Sequence, residues 1–354
     1  MRVWQLVDGR SLGGIERHVA TLVTALAARG YDAEAVLWRD YPESPWRDQL
    51  TADRIPHRVL AGTIASLVEA LRRDRPALVH THGYKANLIG RLVARALSIP
   101  VVSSFHSGER GPFPVSLYQQ VDEASSFLAP RIAVSDEISR RLPWRSHVVR
   151  NFLNVSERVP SAALPRRVGF IGRLSHEKGP DLFCEIAELG PPDVEWHVWG
   201  DGPMRHDLEA RYGGRVVFNG LTLDVAKALA SIGLLAMPSR AEGLPMAALE
   251  ALAAGVPLLA SRVGGLPDVI EHDRTGWLFD AGDTTAAAEL VDRWSVLAPA
   301  AVPALRAGCH SLVRDRYSDT AVVPEFIAIS EAAGLAVRRR TSTTESRGAS
   351  ASLT

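Results

Sequence analysis

Arg240 to Phe279 reads RAEGLPMAALEALAAGVPLLASRVGGLPDVIEHDRTGWLF. Glu242 and Glu250 stand eight residues apart in it, a little over two turns of an α-helix. Between them, Gly243-Leu244-Pro245 opens an Ala/Leu/Met run with helical character. Pro245 suits the first helical turn, where its missing N–H costs nothing. The amides of Gly243 and Leu244 just before it are free to meet an anion, and the helix dipole favours negative charge there. After the helix come Gly255-Val256-Pro257, an apolar strand, and the turn Gly264-Gly265-Leu266-Pro267. One carboxylate therefore sits at the mouth of an anion site and the other lies two turns down the same helix. That arrangement suits a ligand with phosphate in the middle and hydroxyls at both ends, such as a nucleotide sugar.

Outward from this stretch, short apolar runs alternate with longer helical ones, the pattern of parallel α/β sheets with crossover helices. Strands are expected at Arg2–Val7, Ala33–Trp38, Ala77–His80, Val101–Phe105 and Arg131–Val134, and helices at Ile15–Ala28, Ile64–Arg73, Lys85–Leu97 and Asp136–Arg141. Ser, Pro and Ala accumulate without periodicity over Val155–Arg166, which reads as a linker. The same grammar then restarts, with strands expected at Val168–Ile171, Glu195–Trp199, Val216–Phe218, Leu234–Met237 and Leu258–Ala260. Two doubly wound, Rossmann-like halves would face each other over a cleft, which is where open α/β sheets bind ligands. The expected organisation is an acceptor-side domain over 1–160 and a nucleotide-sugar domain over 166–318. A further helix is expected over 319–337, and the polar tail 338–354 is expected to be disordered.

The 354 residues include two cysteines, Cys184 and Cys309, which match no metal-ligand spacing and make a reducing cytosol the default. The start, MRVWQLVDGR, lacks the apolar core of a secretory leader. Residues 1–165 carry 21 Lys and Arg against 16 Asp and Glu, and residues 166–337 carry 15 against 23. A basic first half fits an anionic partner, such as a phospholipid surface or a lipid-linked diphosphate, and fits scatter equally well. Peripheral contact with an anionic membrane thus stays open, and no nucleic-acid partner is expected.

A second cluster, Gly172-Arg173-Leu174-Ser175-His176-Glu177-Lys178-Gly179, follows a predicted strand. Departure of a nucleoside diphosphate builds negative charge on phosphate oxygens. Arg173 as a fork and Lys178 as a point charge would stabilise that charge without reorganising. Gly200-Asp201-Gly202-Pro203 makes a tight turn after the next strand, and Gly13-Gly14-Ile15-Glu16 leads into the first helix. His106 closes one strand, and His80-Thr81-His82-Gly83-Tyr84-Lys85-Ala86-Asn87 closes another and opens a helix. That helix carries Lys85, Arg91 and Arg95 among apolar residues. Packing on the sheet is preferred to lying on a membrane, because a crossover helix must cover its sheet.

These elements together resemble the retaining glycosyltransferases of family 4, also called group 1, which have the two-domain GT-B architecture. The resemblance runs from Met1 to about Ser330, and it implies that the helix over 319–337 returns toward the first domain. It implies that Glu250 holds the donor ribose, that Glu242 holds the donor sugar, and that the Gly243 and Leu244 amides before Pro245 meet the diphosphate. By the same resemblance Gly172, Arg173 and Lys178 belong to the phosphate element. Gly200 and Gly202 would lie beside the nucleotide, and Gly13 and Gly14 would face the donor from the other domain. His106 would touch the sugar near the reacting carbon; a structural, hydrogen-bonded histidine is the alternative. His82, Tyr84, Lys85 and Asn87 are acceptor-side candidates, and their string resembles exopolysaccharide-assembly members. The expected catalytic set is His106, Arg173, Lys178 and Glu242. No metal or other cofactor is expected, because no Asp-x-Asp or His/Cys cluster has ligand spacing. The expected activity is transfer of a sugar from a nucleoside-diphosphate donor to a glycan or lipid-linked acceptor. A nucleotide-sugar epimerase and a non-catalytic nucleotide- or glycan-binding protein are the rivals.

Overall fold

The structure is a computed structural model, and it describes residues 1–9, 13–42, 45–106, 111, 113–155 and 164–335. Most of the expected linker and all of the expected disordered tail lie outside the described residues.

The first sheet contains β1 (Arg2–Val7), β2 (Asp32–Leu37), β3 (His57–Val59), β4 (Leu78–His82), β5 (Val101–Phe105), β6 (Arg131–Ala133) and β7 (His147–Val148). Their order is β3-β2-β1-β4-β5-β6-β7. The second contains β8 (Arg167–Ile171), β9 (Glu195–Trp199), β10 (Val216–Phe218), β11 (Leu234–Met237), β12 (Leu258–Ser261) and β13 (Gly276–Phe279), in the order β10-β9-β8-β11-β12-β13. Every strand pairing in both sheets is parallel. Each sheet is doubly wound: the order reverses beside β1 and beside β8, and ligands of such sheets bind at the carboxyl ends near that reversal.

The helices of the first half are α1 (Gly14–Ala28), α2 (Trp46–Ala52), α3 (Ile64–Asp74), α4 (Tyr84–Ala96), α5 (Val115–Ala124) and α6 (Asp136–Arg141). Those of the second are α7 (Pro180–Leu189), α8 (Arg205–Tyr212), α9 (Val225–Ala230), α10 (Met246–Ala253), α11 (Leu266–Val269), α12 (Thr284–Ser295), α13 (Val302–Arg316) and α14 (Asp319–Ala332). Helix α1 forms because Val19, Leu22, Val23 and Leu26 make one apolar stripe, all buried on the first sheet. Helix α14 packs Val322, Val323, Phe326 and Ile329 into that same core, and Arg29 of α1 ion-pairs with Asp319 at 3.0 Å. The chain thus ends its described course on the domain where it began.

Several elements differ from the sequence reading. It did not place strands β3, β7 and β13 or helices α2, α5, α11, α12 and α13, and β4 runs on to His82. Helix α5 hides from periodicity because its acids face inward: Asp122 and Glu123 are buried, whereas Leu117, Tyr118 and Val121 are exposed. Asp122 meets Arg91 of α4 at 2.6 Å, and Arg91 is itself fully buried. The basic face expected on α4 therefore lacks Arg91, and the helix is sandwiched rather than laid on a surface. Among the described residues no single helix is long and apolar enough to cross a membrane.

Candidate active site

Strand β11 ends at Met237, and the loop that follows carries Glu242 into the cleft. Glu242 is buried, and its two oxygens have separate partners. Lys178 Nζ donates to Oε2 at 2.7 Å, and Ser239 Oγ donates to Oε1 at 2.8 Å. Arg240 holds the same loop from behind, forking onto both oxygens of Asp181 at 2.8 and 2.7 Å. Lys178 and Glu242 are 64 residues apart, so only the fold makes them neighbours. Arg173 is exposed and makes no side-chain hydrogen bond among the described residues. A guanidinium so placed is free to fork onto an incoming phosphate.

Helix α10 begins at Met246, with Pro245 as its extended cap residue, one position later than the sequence reading put the helix start. Leu244 O accepts from Asn151 Nδ2 at 2.6 Å, and Gly243 O accepts from Gly265 N at 2.6 Å. The N–H groups of Gly243 and Leu244 have no partner among the described residues. They are donors held in place by their own carbonyls, aimed from a helix start. Gly264 has φ +58, and a β-carbon there would lie 2.1 Å from Glu242 O, so only glycine lets this turn pass behind the carboxylate loop.

The two domains meet here. A β-carbon on Gly243 would come 2.7 Å from His106 O, which puts the loop after β5 against the loop after β11. A β-carbon on Gly14 would touch Met246, so the N-termini of α1 and α10 face each other. Arg17 Nη1 on α1 donates to Glu250 Oε2 at 2.8 Å. Burial pushes the Glu250 carboxyl up, and Arg17 partly offsets that. Gly13 N donates to Glu16 Oε2 at 3.1 Å, and burial pushes the Glu16 carboxyl up to about 7. Gly200 approaches Gly172 so closely that a β-carbon would lie 1.8 Å from Gly172 O, and Gly202 packs the same way on Leu174. These three glycines fasten the Arg173 turn to the turn after β9.

The acceptor-side candidates divide. Tyr84 stacks on Tyr118 with centroids 6.3 Å apart, and Lys85 Nζ pairs with Asp8 at 2.9 Å. Asn87 is a correction. It is fully buried, accepting from Thr81 Oγ1 at 2.7 Å and donating to Ser104 O and to Asp122 at 3.1 Å each. All its polar atoms are used inside the fold, so it presents nothing to an acceptor. His82 is also buried; its Nδ1 lies 3.0 Å from His106 Nε2 and its Nε2 lies 2.9 Å from Gln5 Oε1.

Sequence reasoning missed Gln5, Arg17, His18, Asn151 and Ser239. Arg17 and His18 follow directly on Gly13-Gly14-Ile15-Glu16, and that proximity was the one available signal. Burial lowers His18 to about 4 and holds His80, His82 and His106 well below the usual imidazole range. Below about pH 6.5 an unfolded chain takes up protons that these folded rings refuse, so stability falls as pH drops from about 6.5 toward 4. Glu16 acts oppositely: its folded carboxyl keeps a proton the unfolded chain loses, a contribution that disappears as pH rises through about 7. Four imidazoles outweigh the three carboxyls that burial raises, Glu16, Glu250 and Asp122, and denaturant unfolding at pH 7.5, 6 and 5 is expected to show falling stability. Unchanged or rising values would contradict the buried neutral cluster.

Residues 165–295 match the family Glycosyl transferases group 1, and residues 12–157 match Glycosyltransferase Family 4. The sulfoquinovosyl transferase SQD2 of Arabidopsis thaliana is 27% identical over 252 residues, covering 61% of this chain and 49% of that protein. The 2-deoxystreptamine N-acetyl-D-glucosaminyltransferase of Streptomyces fradiae is 30% identical over 271 residues, 64% of each chain. The chain therefore spans about half the length of the first relative and less than two thirds of the second. Among solved structures, Anabaena Alr3699/HepE in complex with UDP-glucose superposes with a TM-score of 0.80 at 19% identity, over 94% of this chain and 100% of that one.

Proposed function

This chain belongs to the group 1 glycosyltransferases and has their GT-B architecture, and on that premise we propose that it moves a sugar from a nucleoside-diphosphate sugar to a hydroxyl of a glycan or lipid-linked glycan. One observation carries the reading. Lys178 meets the buried Glu242, while Arg173 and the neighbouring Gly243 and Leu244 amides have no hydrogen-bond partner among the described residues and would be available to a pyrophosphate. The donor's diphosphate would lie at the facing N-termini of α1 and α10, with its ribose toward Glu250 and its sugar toward Glu242 and His106. Only one oxygen of Glu250 is held by Arg17, which leaves the other to accept from a ribose hydroxyl.

The proposed reaction retains configuration. The acceptor hydroxyl attacks the anomeric carbon on the face the diphosphate leaves. The C–O bond to phosphate breaks as the new glycosidic bond forms, and the departing phosphate takes the acceptor's proton. Arg173 and Lys178 stabilise the charge that grows on that phosphate, the task a metal performs elsewhere. Contact between the domains would exclude water that otherwise hydrolyses the donor.

The test is a thermal-shift panel of nucleoside diphosphates and their sugars, with UDP and UDP-glucose first. A binder at 100 times its Kd is expected to add about 2.7 kcal/mol of stability. Transfer from the donor so found should persist in excess EDTA and give a product of the donor's anomeric configuration. No stabilisation by any nucleotide, or conversion of donor without acceptor, would overturn the reading.

A further inference from the structure

A group of imidazoles lies beside the donor residues and is not used by the transfer chemistry as a set. His80 and His82 sit two residues apart on β4 and so point to the same face, alongside Gln5 on β1, whose register partner is His80. His18 comes from α1 and His106 from the end of β5. One ring nitrogen from each of His18, His82 and His106 can be chosen so that all three lie within 4.8 Å of one another. The ring centroids of His18 and His106 are 5.0 Å apart, and those of His82 and His106 are 5.2 Å apart.

The surroundings are those of a ligand set. Gln5 Oε1 lies 2.9 Å from His82 Nε2 and 2.8 Å from His80 Nδ1. With the Gln5 amide turned this way, which leaves its Nε2 buried without a partner among the described residues, both of those nitrogens carry hydrogen. His82 Nδ1 is then the bare nitrogen, turned toward His106. A hydrogen bond at the far nitrogen is the usual device for orienting a metal-binding histidine. His80 is committed on both sides, to Gln5 and to Ser104 Oγ at 2.7 Å, and is a support rather than a ligand. His18 is 5% exposed, and its Nδ1 is buried with no hydrogen-bond partner among the described residues. Leaving such a nitrogen unpaired is costly, and a cation would relieve the cost. Two nitrogens on one tetrahedral ion at about 2.0–2.1 Å stand about 3.3 Å apart, a small opening from the 3.0 Å between His82 and His106.

We infer that His18, His82 and His106 form a site for a divalent transition-metal ion of the zinc class. Imidazole nitrogens without a carboxylate select zinc, nickel or copper over magnesium, calcium or manganese. Because the ion would tie down His106, it opposes transfer rather than assisting it; this last consequence rests on the functional reading, and the site itself does not.

The experiment titrates chelator-stripped, dialysed full-length protein with Co²⁺, following the visible absorption of a tetrahedral, nitrogen-ligated ion, and then displaces Co²⁺ with Zn²⁺. One equivalent is expected to bind. His18→Phe, which keeps a ring in the same packing, is expected to weaken binding at least about 100-fold, and Gln5→Met about 10- to 100-fold. His206→Ala, at an exposed histidine elsewhere, should leave affinity unchanged. If His18→Phe fails to fold, His82→Asn replaces it, with circular dichroism as the fold control. Absence of the tetrahedral spectrum in the wild type, or equal affinity in a folded His18 or His82 variant, would overturn the site. Neither readout needs a donor, so an error in the transferase reading would leave this result standing.

Discussion

Lys178→Ala is expected to lower kcat by about 100- to 1,000-fold while the donor KM moves only a few-fold. The magnitude is that of one preorganised donor to developing oxyanion charge, about 2.7–4 kcal/mol. The partition follows from timing. The charge that Lys178 would meet grows as the diphosphate leaves, so its loss falls on the chemical step more than on binding. The substitution also strands Glu242, whose buried carboxylate has Lys178 as its one cationic partner within salt-bridge reach among the described residues. Breaking a fully buried pair costs about 3–5 kcal/mol. The Lys178 side chain is 33% exposed, so the stability loss should be smaller than that. Melting curves separate the two effects, and Lys178→Arg, which restores charge beside Glu242, should recover stability before it recovers rate. A kcat within threefold of wild type on a verified donor would remove Lys178 from the reaction.

Glu250→Ala is expected to raise the donor KM by about 10- to 100-fold with a smaller change in kcat. A charged acceptor for a ribose hydroxyl is worth about 1.5–3 kcal/mol, and both ground and transition states use it. The complication is Arg17, which joins Glu250 across the domain boundary. Glu250→Ala removes a candidate ribose contact and an interdomain tie together. Arg17→Ala removes only the tie. If the KM effect came through domain contact alone, the two variants would behave alike. A ribose role requires Glu250→Ala to be much the worse of the two, and a donor KM left at the wild-type value would eliminate that role.

The elements that were legible in the sequence were those with a local cause. The apolar stripe of α1 and the Gly and Pro punctuation around α10 act within a few residues, and both elements appear where they were expected apart from their terminal residues. Helix α5 was not legible because burial of Asp122 depends on Arg91 and Asn87 of another helix. A carboxylate reads as exposed until its partner is known. The same reasoning corrects Asn87. Its place beside Tyr84 and Lys85 suggested an acceptor contact, and its partners 17 and 35 residues away show that it joins α4 to β5 and α5. The sequence reading ended the strand at His80; the structure extends it to His82, which puts both rings on one face, and nothing local announced that Gln5 and His18 would complete the cluster.

The sequence by itself determined a two-sheet parallel α/β chain and the kinds of group at its strand ends, because side-chain periodicity and turn chemistry are properties of neighbouring residues. Only the tertiary structure decided which of those groups pair. Arg17 reaches Glu250 across 233 residues, and Lys178 reaches Glu242 across 64. Charge pairing depends on distance in space and on loss of water, and neither is written in the order of residues along the chain.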